Sequence, residues 1–338
     1  MSRRSCIVNA IVVLASISAV SGCSGHSTSI LVPSSGGVGP HETSPFGWIT
    51  KASMPTARRF LAAGLINNGI VLAVGGAQGG SDLRTVEAYN YATNTWTTRR
   101  SMPTAREGLA IGVINRKLYA VGGSAAGRVL NVVEAYDQQT NRWITKAPMP
   151  TAREGLAVGI INDRNNNVFL CAVGGDDANG HFLRTVEVYN PLTDIWTAKA
   201  SMPTARSALA VGVVNGILYA IGGQNGAGVL NTNEAYNPAT NTWIAEPSML
   251  TASSGLAAIG VNEGFDGKLL AFGGDDGNGR FLSKVQVYQP AIITWTTKAN
   301  MPTARTGLAV AASRGNNAFF AIGGYNGVDL NTVESLGL

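Results

Sequence analysis

The chain has 338 residues and a net charge of +5, and 13% of its residues are charged, against roughly 25% in a typical soluble domain. Few charges, 42 glycines and many Val, Ile, Tyr and Trp residues predict short strands joined by tight turns. Arg3 and Arg4 carry two of the net charges, and no Lys/Arg stripe runs through the rest, which argues against nucleic acid as a partner.

Residues 1–22 read as a signal peptide, with Arg3 and Arg4 ahead of the mostly apolar run from Cys6 to Val20 and small residues after it. The run is too short and too broken for a membrane-spanning helix. Val20-Ser21-Gly22-Cys23 resembles the bacterial lipobox, whose cysteine takes a diacylglyceryl group before cleavage just ahead of it. That resemblance implies export, a lipid on Cys23 as the one membrane attachment, and a place in the bacterial cell envelope on the periplasmic or cell-surface side. An ordinary cleaved signal with a nearby cysteine is the alternative. Residues 23–45, rich in Ser, Gly and Pro, form a flexible tether. Cys171 is then the one cysteine left, a small buried side chain in the apolar run VFLCAVGG.

Repetition governs residues 46–338. Gly-Gly doublets start at Gly75, Gly122, Gly174, Gly222, Gly273 and Gly323. A Trp follows each of the first five (Trp96, Trp143, Trp196, Trp243, Trp295), with Tyr89, Tyr136, Tyr189, Tyr236 and Tyr288 in between. The unit resembles the kelch repeat, with its period of about 50 residues. The resemblance implies an all-β, six-bladed kelch-type β-propeller with four antiparallel strands per blade. In the second unit, GLAIGVI (108–114) reads as a strand buried on both faces. KLYAVGG, VVEAYD and the segment from Trp143 follow as strands two to four. Such a unit buries its faces only against neighbours around an axis. The sixth unit ends without a Trp strand, while Trp48-Ile49-Thr50 stands unpartnered ahead of the first doublet. That N-terminal strand is expected to close the last blade. The loops DDANGHFL (176–183) and DDGNGRFL (275–282) suggest approximate three-fold symmetry in blade pairs.

Met-Pro-Thr-Ala-Arg or a variant precedes the first strands, giving Arg58, Arg106, Arg153, Arg206 and Arg305, with Ser253 in the fifth unit. One reading is a cationic ring that captures a carboxylate or phosphate. The other is a set of internal struts to Glu87, Glu134, Glu187, Glu234 and Glu334, which recur in the third strand. The exception there is Gln286, in the same unit as Ser253, and this coincidence favours struts. First and third strands sit roughly 9–10 Å apart, within reach of an extended guanidinium. The recurrence of Trp and Tyr points likewise to core packing rather than sugar stacking.

Recognition residues should instead differ between blades. In kelch propellers the loop at the arginines and the loop after the doublet share a face, so the candidates for ligand or partner binding are Arg59, Glu107, Glu154, Asp176, Asp177, His181, Asp275, Asp276, Arg280 and Tyr325. His181 is the one histidine beyond the tether, too few for a multi-histidine metal site or for a Ser-His-Asp or Cys-His arrangement. Oxygen ligation of calcium by Asp176-Asp177 or Asp275-Asp276 competes with ordinary turn composition. No catalytic residue, metal or cofactor is therefore assigned. The expected function is a monomeric module that binds a protein or a glycan. The alternative is a sugar-modifying enzyme like the kelch sialic acid mutarotases, with Glu107 or Glu154 as acid/base.

Overall fold

The computed structural model describes residues 47–67, 69–262, 267–313 and 318–337. The expected signal peptide, Cys23 and the expected tether lie outside them. Six four-stranded antiparallel sheets form the blades of a propeller. Blade 2 shows the plan, with strands Ala110–Ile114, Lys117–Val121, Val133–Asp137 and Arg142–Lys146 paired in chain order. Blades 1, 3, 4 and 5 begin at Ala62, Ala157, Ala210 and Ala257. Blade 6 joins Ala309–Ala312, Ala318–Ile322 and Val333–Gly337 to the N-terminal strand Trp48–Thr50, with Trp48 opposite Leu336 and Thr50 opposite Glu334.

The first and second strands of blade 2 meet at Asn115-Arg116, both in the left-handed region (φ 51° and 62°), as a two-residue hairpin turn matched to strand twist requires. The second strand is the continuously buried one: Leu118 to Val121 are at most 4% exposed. The innermost strand departs from its expected burial on both faces. Ala110, Gly112 and Ile114 are buried, but Ile111 and Val113 are half-buried. They line an axial channel, of about 310 Å³, that an unbroken apolar run cannot reveal.

The core lies between blades. Six apolar clusters fill the six interfaces, each joining strands of one blade to the next. Each Tyr sits opposite its Trp, with ring centroids 5.0–5.2 Å apart. All six Trp, including Trp48, donate their indole N–H to a main-chain carbonyl in the connection ahead of their blade's first strand or, for Trp48, ahead of blade 6, at 2.8–2.9 Å.

The doublets have a specific steric cause. Their glycines have φ of 60–62° and 91–106°, and a Cβ on the first would stand 2.5–2.8 Å from a carbonyl oxygen of the next blade. That oxygen belongs to the residue at the arginine position, and the second glycine's N–H donates to it at 2.9–3.0 Å around the whole ring, closing with Gly324 to Arg58. No side chain fits so close an approach.

Three-fold symmetry is not completed. The loops after the doublets form the same short hairpin in blades 1, 2 and 4. Blades 3 and 5 close one residue later, at Asp176–Phe182 and Asp275–Phe281, and blade 6 one earlier, at Tyr325–Asp329.

Blade 5 carries a local conflict. At the turn between third and fourth strands, Asn94, Asn141, Asp194 and Asn241 adopt φ of 52–59°. Each accepts from its Tyr hydroxyl and from a backbone N–H of the connection that also holds the blade's Trp. Blade 5 has Ile293 there, at φ 54° and exposed. Its lost acceptor leaves no backbone donor orphaned, because the matching residue is Pro247, and Tyr288 donates to Glu246 instead, at 2.6 Å. A β-branched residue in this region costs about 1–2 kcal/mol. Ile293→Asn should therefore raise stability by about 1 kcal/mol, read as a higher melting temperature in calorimetry. An unchanged or lower melting point would show that the turn is not strained.

Candidate functional site

The arginine loops supply the deepest polar groups in the molecule. Arg58, Arg106, Arg153, Arg206 and Arg305 are 0% exposed. They lie 2.5–2.9 Å from Glu87, Glu134, Glu187, Glu234 and Glu334 within their own blades. The Arg206–Glu234 contact is an ion pair without hydrogen-bond alignment, and Arg206 Nη2 donates instead to the Ala220 carbonyl at 2.9 Å. The other oxygen of each glutamate accepts from the Thr two residues before the arginine (Thr56, Thr104, Thr151, Thr204, Thr303) at 2.6–2.8 Å. Four of the guanidinium groups also donate to the backbone carbonyl of Thr85, Val132, Thr185 or Thr332. Burial lowers the Arg58 and Arg106 pKa values to about 10, against the raising effect of their glutamates, so both stay charged at neutral pH. In blade 5, Ser253 Oγ donates to the Gly273 carbonyl at 2.6 Å, and the Gln286 amide bonds both backbone groups of Thr251.

At the next position Arg59, Glu107 and Glu154 are partly exposed, while Ser207, Ser254 and Thr306 are buried. Arg59, Glu107, Glu154, Ser207, Ser254 and Thr306 each make a β-bridge to the residue just after their own doublet: Ala77, Ser124, Asp176, Gln224, Asp275 and Tyr325. The two loops of every blade thus meet on one face. One residue further on, Phe60, Gly108, Gly155, Ala208, Gly255 and Gly307 close a ring of backbone hydrogen bonds. Each N–H donates to the preceding blade's carbonyl at 2.8–3.1 Å, and Phe60 donates to Gly307. All six have φ between 49° and 61°. The ring surrounds the floor of a cavity of about 400 Å³ on the propeller axis.

Of the ten candidate recognition residues, three line this cavity: Glu107, Glu154 and Asp176. Burial first, and Glu154 second, raise the Asp176 pKa to about 6. Burial, then Asp82, also raises that of Glu107, one of whose oxygens is buried without a hydrogen-bond partner. Arg59 stands beside the cavity. Its guanidinium is 2.9 Å from Asp329, with the rings of Tyr325 and Phe60 at 5.1 and 5.8 Å, and Tyr325 packs edge-on against Phe281. Asp275 accepts from the Thr306 hydroxyl at 2.9 Å. Asp177 and Asp276 shape their own loops, accepting from the backbone of Asn179 and His181, and of Asn278 and Arg280. His181 is exposed and pairs with Asp177 at 3.1 Å. Among the described residues no group of three or more His, Cys, Asp or Glu is arranged to hold a metal ion. Two features escape a reading of the sequence alone, the five threonine arms and Phe60. The signal for the threonine arms is the repeated Met-Pro-Thr-Ala-Arg. That for Phe60 is one large side chain at a position otherwise occupied by Gly or Ala.

Two outcomes follow from this geometry. Arg153→Ala strands Glu187 in the interior and should cost about 3–5 kcal/mol. Arg59→Ala breaks a partly exposed pair and should cost less than about 1 kcal/mol; equal melting points for the two variants would contradict the assignment. Asp176 has a folded-state pKa above its unfolded value, so its ionisation costs stability as pH rises through about 6. Asp176→Asn should melt above the wild type at pH 8, with the gap closing by about pH 4. A gap independent of pH would mean that the carboxyl is not desolvated.

Residues 70–334 match the family described as Attractin/LZTR1 beta-propeller. Shorter stretches resemble proteins of animals, one of them a Kelch-like protein. The human Influenza virus NS1A-binding protein is 47% identical over 57 residues, 17% of this chain and 9% of that protein. Human Kelch-like protein 5 is 50% identical over 46 residues, 14% and 6% of the two chains. Alpha-scruin of Limulus polyphemus is 39% identical over 59 residues, 18% and 6%. The match covers less than a tenth of each of these relatives' length. With six closed blades and a family match over most of its length, the chain belongs to the Attractin/LZTR1 β-propeller family, of kelch type.

Proposed function

We propose that this protein is a non-catalytic interaction module, exported and anchored in the bacterial envelope by a lipid on Cys23, that captures a partner protein at the axial cavity. The observation that carries this reading is the convergence of blade-specific side chains, Glu107, Glu154 and Asp176 among them, on one half-open cavity held by a scaffold of repeated residues. Kelch propellers are typically protein-interaction modules, which makes a protein the first choice over a glycan. A sugar-modifying reaction at the same cavity is the second reading, favoured by the raised pKa values of Asp176 and Glu107. Against it, the cation nearest Glu107, Arg59, is already held by Asp329.

A photo-crosslinking residue placed at His181, on the cavity face, should trap a partner in envelope preparations of the full chain. The same residue at Thr240, in an exposed hairpin of the opposite face, should trap none. Cys23→Ala should abolish incorporation of labelled fatty acid and release the protein from the membrane fraction. Crosslinks from Thr240 alone, or from neither position, would overturn the interaction face, and labelling that survives Cys23→Ala would overturn the anchor.

A further inference from the structure

The inner ring shows what the scaffold needs on the propeller axis. Four of its six positions are Gly and one is Ala, as backbone at φ of 49–61° favours. Phe60 breaks that rule: it holds a strained left-handed conformation (φ 49°) and leaves 39% of its surface exposed. Its ring reaches over Gly307, where a Cβ would come within 2.7 Å of it. The other five blades close the same ring with Gly or Ala, so the ring itself does not require an aromatic here; beyond Gly307, the Phe60 ring meets the Arg59 guanidinium at 5.8 Å. Phe60 lines the axial cavity, and Phe182, from the loop after the blade 3 doublet, is a second aromatic in its lining.

The remaining polar wall has one sign. Glu107, Glu154 and Asp176 line the cavity, and none of its lining residues is Lys, Arg or His. The charge of neighbouring Arg59 is matched by Asp329. Ser207 and Gln224 are the uncharged polar side chains in the lining; an anion entering here would meet three carboxylates and no cation, and a neutral apolar group would leave the carboxylates desolvated and unpaired. A cation on an aliphatic stem satisfies both parts of the wall: the carboxylates pair with its charge, and the aromatic rings attract it and cover its stem.

On the reading that this face binds a partner protein, we infer that the axial cavity receives one basic side chain of that partner, Arg or Lys, held between Phe60 and Phe182 and paired with Glu107, Glu154 and Asp176. Phe60 is then the residue that selects the cation, and the strain at this position serves recognition rather than folding.

The test titrates the full chain with the blocked peptide acetyl-Gly-Gly-Arg-Gly-Gly-amide. Controls are its citrulline counterpart, which keeps the shape and loses the charge, and n-propylguanidine, the bare side chain. The arginine peptide should bind at least tenfold tighter than either control. Phe60→Gly should weaken it at least tenfold while the melting temperature holds or rises, and Glu154→Gln should weaken it as well. Equal affinity for the arginine and citrulline peptides, or no binding of either, overturns the cation pocket. Tighter binding of n-propylguanidine than of the peptide overturns the choice of a partner side chain and assigns the cavity to a free small guanidinium compound. A Phe60→Gly variant that binds as the wild type removes Phe60 from the site. If the peptide fails while the His181 crosslink persists, the cation pocket falls and the interaction face stands; if both fail, both fall.

Discussion

The residue at the arginine position bonds each blade to its neighbour through both of its main-chain groups. Its carbonyl accepts from the second glycine of the preceding blade's doublet, and its N–H donates to a leucine carbonyl of the same neighbour. In five blades its guanidinium then crosses its own blade to a buried glutamate. Burying an ion pair costs several kcal/mol per charge unless the remaining donors and acceptors are filled. The threonine hydroxyl and the backbone carbonyls fill most of them. Although the Nε atoms of Arg106, Arg153, Arg206 and Arg305 keep no hydrogen-bond partner, the joint sets how one blade lies against the next through its main-chain bonds. It also fixes the outward loops that begin at the following residue, and the cavity is therefore preformed.

Blade 5 shows which half of the joint is indispensable. Ser253 cannot reach Gln286, yet its carbonyl still accepts from Gly223 at 2.9 Å, so the main-chain arm survives the loss of the side-chain arm. Arg and Glu are replaced together, and the freed groups find local partners. The same logic governs Ile293 and Pro247, where the acceptor and the backbone donor are both gone. Removing one member of a buried polar pair leaves an unsatisfied group, whereas removing both is nearly neutral. Blade 5 has diverged along the inexpensive route twice.

This explains how much of the molecule was legible in its sequence. The doublets, the Trp and Tyr positions and the closing strand at Trp48 could be read because each interface imposes the same demand six times. The Arg and Glu positions could be paired because their exceptions fall in one blade. Less visible were features without a repeating partner. The innermost strand looks uniformly apolar, but the axial channel, which exposes Ile111 and Val113, arises only once six blades close. Phe60 opens a run, FLAAGLI, that reads as the start of a strand, and its oddity emerges only when it is set beside Gly108, Gly155, Ala208, Gly255 and Gly307. Asp177 and Asp276 resembled Asp176 and Asp275 in sequence but turn inward on their own loops.

A closed ring of main-chain hydrogen bonds constrains backbone and leaves side chains free. Because every donor and acceptor in the ring is an amide, the scaffold asks of Phe60, Gly108, Gly155, Ala208, Gly255 and Gly307 only that they tolerate a left-handed conformation. The position before it is freer still, since the bridge to the residue after the doublet is also main chain. The six blades can therefore present Arg59, Glu107, Glu154, Ser207, Ser254 and Thr306 around one axis without altering a single inter-blade bond. Repetition supplies the rigidity and the departures from repetition supply the chemistry. A large aromatic in a ring of left-handed positions otherwise held by Gly and Ala is the departure that the fold itself has least reason to make.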